Sequence, residues 1–190
     1  MVAIFKRQRS YPYFKKPSII FQPFPKALTG RTPRSIMGSK WWNKEKKNAI
    51  LDNNYCCHAC GVNVNDAEIH KRLEAFPIYE KILGATGIEY KGCAALCHLC
   101  YCSANYKTSA ALFNKGFMSA DKFDLIWTHR NLMFVKSGFI ESEVFPIKNW
   151  NEWFLKIEGQ VYFSKFKNEE ACDNFYLTNQ PTKEGDTNGN

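Results

Sequence analysis

No aspartate or glutamate precedes Glu45, so the nine lysines and arginines of residues 1–40 have no acidic neighbour in the chain to offset them. Residues 41–190 hold 17 basic and 18 acidic groups, which places the whole net charge of +8 in the first fifth of the chain. That segregation excludes an acidic face at this end and suits a polyanionic partner. Long apolar runs are absent as well. Nothing approaches the roughly 20 residues a bilayer-spanning helix requires, and Lys6, Arg7 and Arg9 are not followed by the apolar stretch of a secretory leader. A soluble, cytoplasmic protein with no membrane partner is expected. Proline is scarce beyond residue 40, because five of the eight lie before it.

Apolar residues make up 45% of the chain and charged ones 23%, a globular composition long enough for one domain with a real core. Residues 1–40 stand apart. Pro12, Pro17, Pro23, Pro25 and Pro33 alternate with Tyr11, Tyr13, Phe14, Phe21 and Phe24, and that proline density predicts an extended arm. Its charges, Lys6, Arg7, Arg9, Lys15, Lys16, Arg31, Arg34 and Lys40, are candidate phosphate contacts, with rings available to stack on unpaired bases. Alternatively Phe21 and Phe24 pin the segment to the body as a strap with solvated lysines. A mitochondrial transit peptide fits the lack of acid but not the prolines.

Eight cysteines without a leader favour metal ligation in a reducing compartment over a disulfide scaffold. Four of them form two matched C-x2-C pairs, Cys57/Cys60 and Cys97/Cys100, separated by 36 residues. Two such turns brought together offer four thiolates to one soft divalent ion, and Zn2+ in a structural role is the expected occupant. Cys56, Cys93 and Cys102 lie close enough in sequence to replace an assigned ligand, while Cys172 reads as a core residue.

Hydrophobic patterning predicts an α+β fold. A short helix over 41–53 has a lysine-rich face. Strands over 73–80 and 88–96 form a hairpin across Gly84 to Gly87, and a helix over 103–113 ends near Gly116. Ser119 caps a helix running to about Val135, on which the lone His129 reads as a packing residue. Strands over 153–157 and 161–166 flank Glu158 to Gln160, Asn168 caps a terminal helix to Leu177, and 178–190 reads as a disordered tail. The expected divisions are the arm (1–40), a zinc-binding core (41–116), a helix, hairpin and terminal helix packed on it (117–177), and the tail.

The stretches RSIMGSKWWNKEKKNAILDNNYCCHACG, LEAFPIYE and GIEYKGCAALCHLC, in the order knuckle, hairpin, knuckle, helix, resemble a bacterial and phage branch of the HNH (His-Me finger) endonucleases. The likeness spans about Arg31 to Asn105 and, more weakly, WFLKIEGQVYFSKF. It implies a ββα core, a four-cysteine structural zinc and a separate catalytic metal. The chain departs from that pattern where the family carries His-Glu after LEA and histidines directly after the last zinc cysteine and four residues later. Those positions are Phe76, Pro77, Tyr101 and Asn105. Phenylalanine has no lone pair, proline no N–H, and a tyrosine with a reference pKa of about 10 is a poor base at neutral pH. The expected protein is therefore a catalytically degenerate HNH-like zinc protein that binds nucleic acid or a nucleic-acid-handling protein. Two alternatives stand beside it: an active metal-dependent endonuclease whose site has moved to His70, Glu74, Glu80 and Asn105, and an interaction module that regulates or inhibits a protein partner.

Overall fold

The structure, a computed structural model, describes residues 24–137 and 149–178. Helix α1 (Pro33–Asp52) leads to the hairpin β1 (Leu73–Lys81) and β2 (Gly87–Cys97). Helices α2 (His98–Ala104), α3 (Tyr106–Asn114) and α4 (Ala120–Ser137) follow, then β3 (Phe154–Ile157), β4 (Gln160–Phe163) and α5 (Glu169–Thr178). The four strands form one sheet in the order β1-β2-β3-β4, antiparallel except where Gly87–Glu89 of β2 pairs in parallel with Phe154–Lys156. The protein is thus a mixed α+β fold. No helix among the described residues is long and apolar enough to cross a membrane.

Two apolar cores share the hairpin. The first gathers the cysteine pairs, Leu73, Phe76, Ala94 to Leu96 and Leu99 against Ile126 and Met133 of α4. The second gathers Tyr79, Ile88, Leu155, Ile157, Trp150, Trp153 and Cys172 with Ala27 and Leu28. Strand β1 buries Leu73, Phe76 and Tyr79, every third residue rather than every second. Strand alternation predicts a period of two. The departure arises because helices α1 and α2 both pack on the hairpin, and because a bulge between Ile78 and Tyr79 shifts the register from Gly92 to Tyr90.

The hairpins and the caps at Ser119 and Asn168 lie where sequence patterning places them; Asn168 Oδ1 accepts from Ala171 N at 2.8 Å. The N-terminal region differs from the expected extended arm. Helix α1 starts at Pro33, eight residues early, and Ala27 and Leu28 are wholly buried. Proline at the first helical position costs no hydrogen bond, and Thr32 and Ser35 cap each other reciprocally at 3.1 and 2.9 Å. Phe24 packs on Tyr79 with ring centroids 5.3 Å apart, as a strap would. The kink in α1 falls at Gly38, whose φ of 85° is outside helical geometry. The expected helix over 103–113 is instead two, broken at Asn105. Lys6, Arg7, Arg9, Lys15, Lys16, Phe21 and residues 179–190 lie outside the described residues.

Gly87, where β2 meets β3, has no room for a side chain, because a Cβ there would lie 2.5 Å from the Phe154 ring. Gly87→Ala is expected to destabilise by about 1–3 kcal/mol through overpacking, and Phe154→Leu to recover part of that loss. Urea denaturation of the two single variants and the double variant checks this; additive effects would contradict the contact.

Candidate metal centre

The two cysteine pairs are presented by different local structures. In the first, Cys57 N donates to Val62 O and Gly61 N to Cys57 O, both at 2.8 Å. That tight turn needs the left-handed φ of 79° at Gly61. The second pair rides on the junction of β2 and α2, with Cys97 as the helix N-cap and Cys100 in its first turn. His58 N donates to Ala95 O at 2.8 Å and ties the first turn to β2.

Together they place the Sγ atoms of Cys57, Cys60, Cys97 and Cys100 within 4.8 Å of one another, all buried. Four sulfurs at about 2.3 Å from a central ion stand about 3.8 Å apart along each tetrahedral edge, and Cys60 Sγ lies 3.8 Å from Cys97 Sγ. This set could hold a metal ion. None of the eight cysteines is in a disulfide.

Electrostatics point the same way. Burial opposes charge on Cys57, but hydrogen bonds from Cys100, Cys60 and Cys97 carry it well below the ordinary thiol range. Burial pushes Cys60 and Cys100 upward; a hydrogen bond with Cys100 pulls Cys60 part of the way back, while contact with Cys57 and its charge raise both. The surroundings thus favour the thiolate at Cys57 and oppose it at Cys60 and Cys100, where a divalent cation would supply the missing countercharge.

His129 joins this centre from α4, a residue that sequence reasoning took for packing. Its Nε2 lies 3.1 Å from Cys100 Sγ and it is 3% exposed. Burial lowers its pKa to about 4, against a smaller upward pull from Cys57, so the ring is neutral and can offer one N–H to the sulfur. Only the packing of α4 on α2 brings it there, 29 residues beyond Cys100.

The neighbouring cysteines point elsewhere. Cys56 contacts Asn54 O and Asn63 Nδ2, Cys102 Sγ lies 3.5 Å from His98 Nε2 one helical turn on, and burial pushes Cys93 up to about 12 opposite Pro77. Cys172 sits in the second core.

Phe76 and Tyr101 meet edge to face with centroids 6.2 Å apart, and Asn105 Nδ2 donates to Tyr101 O at 3.1 Å. Burial raises the Tyr101 phenol further from neutrality. Of the remaining acid and base candidates, Glu80 stands apart from Glu74. Glu74 pairs with Arg72 at 2.9 Å, Glu80 is exposed beside Lys91 at 3.6 Å, and six residues of one strand, about 20 Å, separate them. His70 packs on His98 at 4.5 Å between centroids. Of the described arm charges, Arg31 donates to Phe163 O at 2.9 Å, while Arg34 and Lys40 are exposed.

Purified protein is expected to carry one divalent ion per chain. Cys57→Ser or Cys100→Ser should lose it and the cooperative melt, whereas Cys56→Ser and Cys93→Ser should keep both; metal analysis with thermal unfolding reads the outcome. His129→Leu should retain the stoichiometry while weakening affinity roughly 10- to 100-fold in a chelator competition; unchanged affinity would remove His129 from the centre.

Comparison with models of protein families, with curated proteins and with solved structures finds no match to this chain.

Proposed function

We propose that this protein is a zinc-stabilised, catalytically degenerate HNH-like domain that binds nucleic acid, with a structural rather than catalytic metal. The observation that carries the reading is the contrast between two neighbouring places. Four buried sulfurs keep the spacing of a closed tetrahedral site, and an all-thiolate set with no open position suits Zn2+. Beside it, Phe76, Pro77, Tyr101 and Asn105 occupy the positions where the resemblance calls for a general base and metal ligands. The Phe76 and Tyr101 rings pack together, Asn105 Nδ2 donates to Tyr101 O, and none of the four supplies a general base at neutral pH. The order turn, hairpin β1-β2, second turn and helix α2 supports the HNH-like reading of this frame.

Binding is argued from charge. The excess of +8 is confined to the segment ahead of Glu45; Lys26 and Arg31 are tied to the body, and a cationic concentration at one end of the chain suits a polyanionic partner. A relocated nuclease is disfavoured by the separation of Glu74 from Glu80.

Two assays decide the matter. Incubation of plasmid DNA with the protein and Mg2+, Mn2+ or Ni2+ should give no nicking; cleavage abolished by His70→Ala would replace this reading with an enzymatic one. Binding to nucleic acid should weaken steeply with salt. Truncation must spare Ala27 and Leu28, so removing residues 1–23, with Lys6, Arg7, Arg9, Lys15 and Lys16, is the informative deletion. It should lower the log-log salt slope by about 4 if most of these contact phosphates. Salt-independent binding, or binding indifferent to the truncation, counts against the arm.

A further inference from the structure

Helix α1 carries charge that the fold does not use. Lys40, Lys44 and Lys47 follow one another at spacings of four and three, which puts them within about 60° of arc on one face over about 10 Å of helix. All three are exposed, and none forms an ion pair with a described residue. Neighbouring like charges at i,i+3 and i,i+4 are unfavourable in a helix, so the stripe is kept at a cost to folding. The acidic residue that could neutralise it, Glu45, is turned away and accepts a hydrogen bond from Tyr90 Oη at 2.9 Å. Asn43 and Asn48, also exposed, flank the row with further hydrogen-bonding groups.

The helix's aromatic residues are placed otherwise. Trp41 packs in the second core and its Nε1 donates to Glu158 Oε1 at 3.1 Å, while Trp42 is half-buried beside it. The stripe therefore offers ammonium groups without an exposed ring, which is what contact with phosphates needs and stacking on unpaired bases does not. A duplex, with one negative charge per about 1.7 Å of axis, sets about six phosphates along such a stripe.

Resting on the nucleic-acid reading above, we infer that the Lys40–Lys44–Lys47 face of α1 is a docking surface for the phosphate backbone of a nucleic-acid duplex. Contact there is made to phosphates and not to base edges, so it adds affinity without sequence preference.

The test compares the full-length protein with a triple Lys40→Gln, Lys44→Gln, Lys47→Gln variant in binding to short duplex DNA across a salt series. A matched triple variant, Lys107→Gln, Lys115→Gln, Lys136→Gln, removes three exposed charges elsewhere. The stripe variant should melt as the parent does and lose about 2.7 from the log-log salt slope, about 0.9 per phosphate; the matched variant should keep the parent slope. Equal losses from both triple variants would reduce the effect to net charge and overturn the inference. So would an unchanged slope in the stripe variant while deletion of residues 1–23 still lowers it, a result that leaves the nucleic-acid function standing. A parent protein that binds no nucleic acid overturns both.

Discussion

Four sulfurs buried within 4.8 Å of one another cannot all be charged without a cation among them, and this constraint organises the half of the molecule around the first core. Like charges at such separations repel strongly in a low-dielectric interior. A metal bound among them would turn that repulsion into a closure, joining a turn at Cys57–Cys60 to the end of β2 and the start of α2 across the 36 intervening residues. A link of that span removes considerable freedom from the unfolded chain. Ile126 and Met133 of α4 pack in the same core as the four cysteines, and His129 meets Cys100 from the same helix, so the cysteine set and the first core are one packed unit.

The second core extends this unit without a metal. Strand β2 continues into it, pairs with β3 over three residues, and is closed by the residues before α1. Ser164 Oγ donates to Ala27 O at 2.6 Å and holds that segment beside β4. Lys26 pairs with Glu169 and Asp173 of α5, the two contacts that raise its pKa to about 12. Those three side chains are largely exposed, where ion pairs contribute little, and the complete burial of Ala27 and Leu28 is the stronger tie. The described part of the cationic segment ahead of α1 is thereby anchored to the body, and Lys40, Lys44 and Lys47 of α1 are exposed.

The hairpins, two helix caps and the cysteine quartet were legible in sequence because each is a local pattern: alternating apolar residues around glycine, a polar cap ahead of an apolar run, and a repeated spacing. The start of α1 was not, since the TPRS stretch was read for its proline and not for the reciprocal cap that makes a proline welcome at the first turn. The role of His129 was not legible either. Nothing adjacent in sequence marks it, and its contact depends on how α4 crosses α2. The packing of Phe76 on Tyr101 likewise needed three dimensions, although the absence of histidine at both positions was visible beforehand.

Together these features describe a frame gathered around four buried sulfurs that could hold a metal ion, with the Phe76 and Tyr101 rings packed edge to face and exposed lysines on the first helix. The most direct test of that account is X-ray absorption at the edge of the bound metal. It should identify zinc with four sulfur neighbours at about 2.3 Å and no nitrogen or oxygen. A first shell containing a nitrogen or water ligand, or protein that folds fully with no metal bound, would contradict it.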